Sequence, residues 1–333
     1  MPVLTYDGQQ YICRNDQSVL DVFTAHGVPV PSSCRSGVCQ TCMMRALAGT
    51  LPAAAQVGLK DTLKAQNYFL ACACKPQADL TVTLPDERAQ PRLAATVCAV
   101  RPLNGEIVCL ELKPEEKIDY KAGQFINLFK DATGARSYSL ASLPSDAYLQ
   151  LHVRRLPQGR ISGWIHEELK PGDRVRISAP TGHCFYTSNK PEQPLLLIGS
   201  GSGLAPLYGI LRDALSQGHR GPIHLYHGSR TVAGLYLEEE LRALTRRYAQ
   251  VSYTPCISGT SAPKDYANGR ANEVALREQP KLNGWRVFLC GHPDMVKLGK
   301  KKVFLAGAAM KDIYADAFLV ASPHEDATRQ LSA

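Results

Sequence analysis

Three cysteines, Cys34, Cys39 and Cys42, stand at the spacing C-x4-C-x2-C, and a fourth follows at Cys72. Four thiolates can hold a cluster of two irons and two sulfides, and this spacing is one that does so. Three ligands from one short stretch need tight backbone curvature, which Gly37 supplies, while the small Ser33 and Ser36 let backbone N–H groups approach the sulfurs. A zinc site more often uses paired C-x2-C knuckles. The fourth ligand stays open on geometry. Residues 70–74 read as a strand, and period-two alternation points Cys72 and Cys74 to the same face.

A second constellation is Gly199-Ser200-Gly201-Ser202-Gly203-Leu204-Ala205-Pro206, which follows an apolar strand and opens a helix. Glycines there let a pyrophosphate approach the backbone and the helix N-terminus. The string is not G-x-G-x-x-G, because the sixth position lacks glycine. The chain has 11 cysteines in 333 residues. Cys13, Cys98, Cys109, Cys184 and Cys256 sit in apolar, strand-like contexts and read as small buried hydrophobes. The odd count argues against a disulfide framework.

Charge narrows the function classes. Lys and Arg total 38 against 30 Asp and Glu, a net +8. Residues 1–90 balance seven basic against seven acidic side chains, so the excess lies beyond them. Basic residues do not alternate with aromatics, and only Lys300, Lys301 and Lys302 form a run, so nucleic-acid binding is not expected. No apolar stretch has the roughly 18 residues of a transmembrane helix. The opening MPVLTYDGQQ lacks the basic and apolar regions of a secretory signal, so a cytoplasmic location is expected.

The elements that must position these residues fall into three groups. Residues 3–6 and 10–13 alternate and can pair through Asp7-Gly8, a hairpin signal. Ser18 opens a short helix as N-cap with Asp21 at the capping-box position, and Gly27 suits its stop. Residues 29–42 read as a loop, 80–84 as a last strand and 85–92 as a linker. Residues 93–185 carry short alternating segments at 94–100, 107–112, 124–128, 149–153 and 174–178, with one helix at 162–168, which predicts an antiparallel barrel. From residue 193 the pattern is strand 195–198, a helix through 215, strand 223–226, helix 235–248 and strand 287–289. Such alternation predicts a parallel α/β domain.

The cysteine loop, with a cysteine after a Leu-x pair at Cys72, resembles the N-terminal ferredoxin domains of multicomponent oxygenase reductases; the resemblance favours Cys72 as fourth ligand. Arg136-Ser137-Tyr138-Ser139-Leu140-Ala141-Ser142 resembles the flavin-binding motif of the ferredoxin–NADP+ reductase superfamily. On that resemblance Arg136 neutralises a flavin phosphate, Tyr138 lies against the isoalloxazine ring, Ser139 hydrogen-bonds near flavin N5, and Ser142 completes the contact. Gly159-Arg160-Ile161-Ser162 matches the family's pyrophosphate turn, and FAD is implied over FMN. The glycine loop matches G-x-G-x-G-x-x-P, with Gly199, Gly201, Gly203 and Pro206 in place. Cys290-Gly291-His292-Pro293-Asp294-Met295 resembles the C-G-x-P-x-M segment beside the nicotinamide, which gives Cys290 a place in hydride transfer and Gly291, Pro293 and Met295 places at the cofactor; His292 reads as structural or exposed. Phe318 either covers the flavin face or packs in the core, and 15 residues follow it. Ser229 and Arg230 follow strand 223–226 where a ribose is recognised. Arg230 can hold a 2′-phosphate, yet NADH-using relatives carry arginine here too, so NADH is favoured over NADPH.

The order implied is a β-grasp [2Fe-2S] ferredoxin domain at 1–88, an antiparallel β-barrel FAD domain at 92–187, an α/β parallel-sheet NAD(P)-binding domain at 193–320 and a tail at 321–333. This is the arrangement of reductase components of bacterial multicomponent oxygenases. The implied function is transfer of a hydride from NAD(P)H to FAD, then of single electrons through the cluster to a terminal oxygenase, a desaturase or an intermediate ferredoxin. The expected state is a monomer. A deoxysugar dehydratase as acceptor is the alternative. A non-enzymatic iron–sulfur sensor fits less well, because all three nucleotide strings are intact.

Overall fold

The computed structural model describes residues 1–14, 16–32, 40, 42–85, 92–131, 135–259 and 262–318. Two compact units divide the chain, Met1–Pro91 and the part from Arg92 onward. Each is taken by itself.

The first unit contains β1 (Val3–Tyr6), β2 (Gln9–Ile12), α1 (Val19–Ala25), β3 (Met43–Ala48), α2 (Asp61–Ala65), β4 (Tyr68–Leu70) and β5 (Leu80–Thr83). The sheet order is β2-β1-β5-β3-β4, with β1 parallel to β5 and its other neighbours antiparallel. That is the grasp expected from the resemblance. Asp7 and Gly8 both take positive φ, 49° and 74°, so the hairpin turn matches the twist of β1 and β2. Ser18 Oγ accepts from the Asp21 N–H at 3.2 Å while an Asp21 oxygen accepts from the Ser18 N–H at 3.1 Å, the reciprocal capping box. α1 then buries Val19, Leu20, Val22 and Phe23 against Leu4, Met44, Phe69 and Leu80. Each such side chain stabilises the unit by about 1.5–3 kcal/mol relative to exposure. The cysteine loop lies mostly outside the described residues, including Cys34 and Cys39, as does most of the linker.

The second unit opens with β6 (Arg92–Pro102), β7 (Ile107–Pro114), β8 (Phe125–Phe129), β9 (Ala135–Ser139), β10 (Leu149–Arg154), α3 (Arg160–Glu167) and β11 (Arg174–Ser178). Strand order is β10-β7-β6-β11-β8-β9, antiparallel throughout. A bridge between Leu140 and Leu151 joins the two outer strands and closes the barrel. β9 is the strand that alternation missed. Its sequence ARSYS carries mostly polar residues.

The α/β part comprises β12 (Leu195–Ser200), α4 (Leu204–Ser216), β13 (Ile223–Ser229), α5 (Glu238–Arg247), β14 (Val251–Ile257), β15 (Ala267–Asn268), α6 (Ala271–Glu278), β16 (Arg286–Gly291), α7 (Pro293–Leu305) and β17 (Ile313–Ala317). All strands run parallel in the order β15-β14-β13-β12-β16-β17. β12 is apolar from Leu195 to Ile198 because both its faces are buried there. Leu195 and Leu197 meet α4, whereas Leu196 and Ile198 join the core that includes Val274, Val296 and Val303. α5 begins at Glu238, later than the apolar pattern predicts. Leu235 and Tyr236 are buried ahead of it, and Leu237 at the N-cap has φ 55°. The strand order reverses between β12 and β16, the place where open parallel sheets bind ligands beyond their carboxyl ends. No helix among the described residues is long and apolar enough to cross a membrane.

Candidate active site

The chain after β4 leaves the sheet in a turn, the Ala73 N–H donating to the Leu70 carbonyl at 3.0 Å. The strand expected over residues 70–74 therefore ends at Leu70, and the two cysteines separate. Cys72 lies with its Sγ 3.2 Å from that of Cys42. Cys74 is fully buried in the core, where burial first and Cys13 second push its thiol up to about 12. A buried, protonated thiol is a poor metal ligand, whereas two adjoining thiols suit a shared iron. The described sulfur donors thus fit an iron–sulfur cluster.

In the barrel, the polar string from Arg136 to Ser142 runs off β9 and divides by environment. Arg136 is half-buried, its Nη1 donating to the Ala135 carbonyl at 2.8 Å. Tyr138 is half-buried and burial raises its hydroxyl pKa. Ser142 is fully buried; its Oγ accepts from the Tyr120 hydroxyl at 2.9 Å and from the Gln150 N–H at 3.1 Å. That hydroxyl braces the barrel wall.

Gly159 precedes α3, and a Cβ there would collide with Ser162 Oγ. Ser162 accepts from the Leu156 N–H at 3.1 Å and fixes the turn, Ile161 enters the core, and Arg160 pairs with Asp131. The turn borders a cavity of about 600 Å³ whose lining includes Lys130, Arg154, Arg155, Gly159, Arg160 and Trp164. Lys130, Arg154, Arg155 and Arg160 stand paired there with Glu168, Glu106, Glu167 and Asp131, so a flavin diphosphate at the helix N-terminus would compete with these carboxylates for the cations.

At the sheet's reversal point the glycines have different duties. A Cβ at Gly203 would collide with the Cys290 carbonyl, one at Gly291 would lie 2.6 Å from the Ser200 carbonyl oxygen, and one at Gly199 would lie 2.8 Å from Leu207. These three let the loop and the Cys290-Gly291 segment press together. Gly201 has φ 53° and open space, its nearest neighbour being Arg154 Nη1 at 3.8 Å from the place of a Cβ. Of the loop glycines Gly199, Gly201 and Gly203, only Gly201 has open space where a Cβ would stand. Pro206 is buried in the first turn of α4. Pro293 begins α7, capped by His292, whose ring accepts from the Asp294 N–H at 3.2 Å. Met295 packs half-buried on the core. Ser229 is half-buried at the end of β13 and Arg230 is exposed beside it. Glu238, the first carboxylate after β13, lies 3.8 Å from Arg242.

Cys290, fully buried on β16, stands opposite Asp316 on β17. Its Sγ lies 3.8 Å from Cys184 Sγ, contributed by the segment after β11. Burial, then Cys184, holds the Cys290 thiol well above its usual range. Ser139 Oγ donates to Asp316 Oδ2 at 3.0 Å, and burial raises the Asp316 carboxyl. The Phe318 N–H donates to the Gly291 carbonyl at 2.9 Å and extends the β16–β17 ladder. Ser139, Cys290 and Phe318 are thus brought to one seam between barrel and sheet. Asp316 and Cys184 join them, and sequence reasoning named neither for the site. The available signal for Asp316 was a carboxylate in the otherwise apolar strand IYADA.

A barrel hydroxyl held by a carboxylate at the edge of a nucleotide-type sheet, above a glycine loop, is the arrangement of a flavin- and nicotinamide-dependent reductase. The chain matches the 2Fe-2S iron-sulfur cluster binding domain over residues 4–77, the oxidoreductase FAD-binding domain over 103–186 and the oxidoreductase NAD-binding domain over 197–301. It is 34% identical over 306 residues to the ferredoxin–NAD(P)+ reductase component of the naphthalene 1,2-dioxygenase/salicylate 5-hydroxylase systems of a Ralstonia species, covering 90% of this chain and 93% of that one. It is 33% identical over 328 residues to the aromatic O-demethylase reductase subunit of an Amycolatopsis strain, covering 95% and 98%. The crystal structure of GcoB, an Amycolatopsis reductase, superposes with a TM-score of 0.68 at 31% identity, covering 97% of this chain and all of the other (100%). The chain belongs to the family of oxygenase reductase components that fuse a [2Fe-2S] ferredoxin domain to a ferredoxin reductase-like FAD and NAD module.

Proposed function

We propose that this chain draws electrons from NAD(P)H and delivers them singly to the terminal component of an oxygenase system or to an intermediate ferredoxin. The observation that carries the reading is the seam at which Ser139 and Cys184 of the barrel meet Asp316 and Cys290 of the sheet. When bound, FAD accepts a hydride and the cluster takes electrons one at a time, which matches a two-electron donor to one-electron acceptors. Residues 1–88 serve as the electron exit, 92–187 as the flavin module and 193–320 as the nucleotide module.

The chain's own groups bind and orient. Lys130, Arg136 and Arg160 hold phosphate charge, and the N-terminus of α3 after Gly159 adds its dipole. Tyr138 lies along the flat ring, Ser142 braces the wall behind it, and Ile161 and Ser162 keep the turn in shape. Ser139 would sit at the reacting nitrogen, its hydroxyl held by the hydrogen bond it donates to Asp316. The carboxyl of Asp316 keeps its own proton to higher pH than an exposed carboxyl does. Gly291 and Phe318 close the nicotinamide side against water, and Cys290 stays a neutral thiol there. Cys34, Cys39, Cys42 and Cys72 are the cluster ligands; the 3.2 Å Cys42–Cys72 approach supports the last two. NADH is the proposed donor, and an NADPH preference above about tenfold in kcat/KM, roughly 1.4 kcal/mol, reverses that assignment.

Purified protein tests this directly. It is expected to be yellow-brown, to reduce ferricytochrome c with NADH, and to support product formation when a terminal oxygenase is added. Absence of any nucleotide-dependent reduction removes the reading.

A further inference from the structure

A buried chain of hydrogen bonds and ring contacts runs from the barrel to the glycine loop. Asn104, in the turn between β6 and β7, donates from Nδ2 to the Gly234 and Leu235 carbonyls at 3.2 and 3.3 Å and clamps the segment that carries Tyr236. His152 of β10 meets the Tyr236 hydroxyl through Nδ1 at 3.2 Å. The Tyr236 ring stands edge-on to both His152 and His227, with centroids 5.4 Å apart in each case. His227, on β13 beside Gly199, places Nε2 3.2 Å from the Gly201 carbonyl oxygen. The three side chains are 6%, 3% and 0% exposed.

The chemistry fixes the direction of the last bond. A carbonyl oxygen only accepts, so His227 Nε2 carries the hydrogen. Nδ1 then has no proton, and it has no partner among the described residues. Burial lowers the pKa of His227 to about 4 and that of His152 to about 3, so both rings are neutral near pH 7. In a planar trans peptide the carbonyl and the following N–H point in opposite directions. The Leu204 N–H shares that acceptor, and the two donors together hold the Gly201 oxygen and aim the Ser202 N–H the other way. Gly201 is the loop glycine with an open side, and it faces Arg154 there.

We propose that His227 is a positioning residue for the nicotinamide dinucleotide: it donates to the Gly201 carbonyl, fixes the orientation of the ligand-facing peptide together with the Leu204 N–H, and packs in turn against Tyr236, which the barrel residues Asn104 and His152 hold. This rests on the assignment of the glycine loop as the nucleotide site. The ligand part addressed is the diphosphate, common to NADH and NADPH.

Flavin-loaded wild type, His227→Phe, His227→Gln and Tyr236→Phe are titrated with ADP-ribose by calorimetry, and KM for NADH is measured beside the flavin reduction rate at saturating NADH. ADP-ribose carries the diphosphate without the nicotinamide. His227→Phe is expected to weaken ADP-ribose about tenfold and to raise KM in parallel, the loss of one hydrogen bond to a fixed acceptor. The saturated rate and flavin content stay within about twofold. His227→Gln, whose amide can donate to the same carbonyl, is expected within about threefold of wild type. Tyr236→Phe removes one hydroxyl and is expected to weaken ADP-ribose about threefold, which keeps the test open should His227→Phe fail to fold. Unchanged affinity in a folded His227→Phe, or equal loss in His227→Gln, overturns the role of the donor. No effect in Tyr236→Phe overturns the link to the barrel. A wild type that binds no ADP-ribose overturns the nucleotide site itself, a different result.

Discussion

Ser139 Oγ and Asp316 Oδ2 are 3.0 Å apart although 177 positions separate them in the chain. The bond joins the end of β9 to β17 and so closes the flavin barrel onto the nucleotide sheet. Its carboxylate is partly desolvated, which raises the pKa of Asp316. A group whose folded pKa exceeds its unfolded value loses stability for the fold as pH rises through that window. Asp316→Asn is therefore expected to leave thermal stability at pH 7.5 unchanged or slightly higher, while flavin reduction by NADH slows by up to about tenfold, the effect of weakening the hydrogen bond that holds Ser139. Stopped-flow reduction and a melting curve on the same sample check both.

Cys184 presses on Cys290 from the barrel side at 3.8 Å. Cys184→Ala is expected to lower the Cys290 thiol pKa, because that contact is the second cause of its elevation after burial. Mass-spectrometric alkylation of Cys290 against pH reads this. The profile should move to lower pH, and an unmoved profile contradicts the contact.

Cys72 and Cys74 are expected to behave oppositely. Cys72→Ser should lose the visible iron–sulfur absorbance and keep the flavin. Cys74→Ser should keep both and lose about 1–3 kcal/mol of stability, since a hydroxyl replaces a thiol in an apolar core. Loss of cluster absorbance in Cys74→Ser alone reverses the assignment.

His152 and His227 give the second unit an acid-side weakness. Their folded pKa values, about 3 and about 4, lie below the ordinary 6.5. Between those limits the unfolded chain binds protons that the folded chain refuses, so stability falls as pH falls through the window. Each histidine contributes about 1.4 kcal/mol per pH unit. Denaturant midpoints at pH 7 and pH 5 should differ less in His152→Gln than in wild type.

Much of the architecture is legible in residue order. The Asp7-Gly8 hairpin, the Ser18 and Asp21 capping box, the apolar β12 and the glycine loop are local signals, and local chemistry sets them. Other features depend on distant partners. Leu235 and Tyr236 extend an apolar helix pattern, yet the barrel pulls them down ahead of α5. Cys72 and Cys74 are set apart by a chain reversal after Leu70 that a strand-like alternation conceals. Cys184 read as an ordinary buried cysteine, and it is buried, but its meaning comes from Cys290, 106 residues away. Asp316 likewise has no local mark of its partner.

The central claim is that electrons from NAD(P)H pass through a flavin to a cluster held in the same chain. Anaerobic addition of NADH to wild type and to Cys72→Ser, followed by flavin and iron–sulfur absorbance, tests it most directly. Both chromophores are expected to bleach in wild type. In Cys72→Ser the flavin alone is expected to bleach, at a similar rate, with electron delivery to ferricytochrome c sharply reduced. A flavin that neither NADH nor NADPH bleaches, or delivery that persists undiminished without the cluster, would contradict the claim.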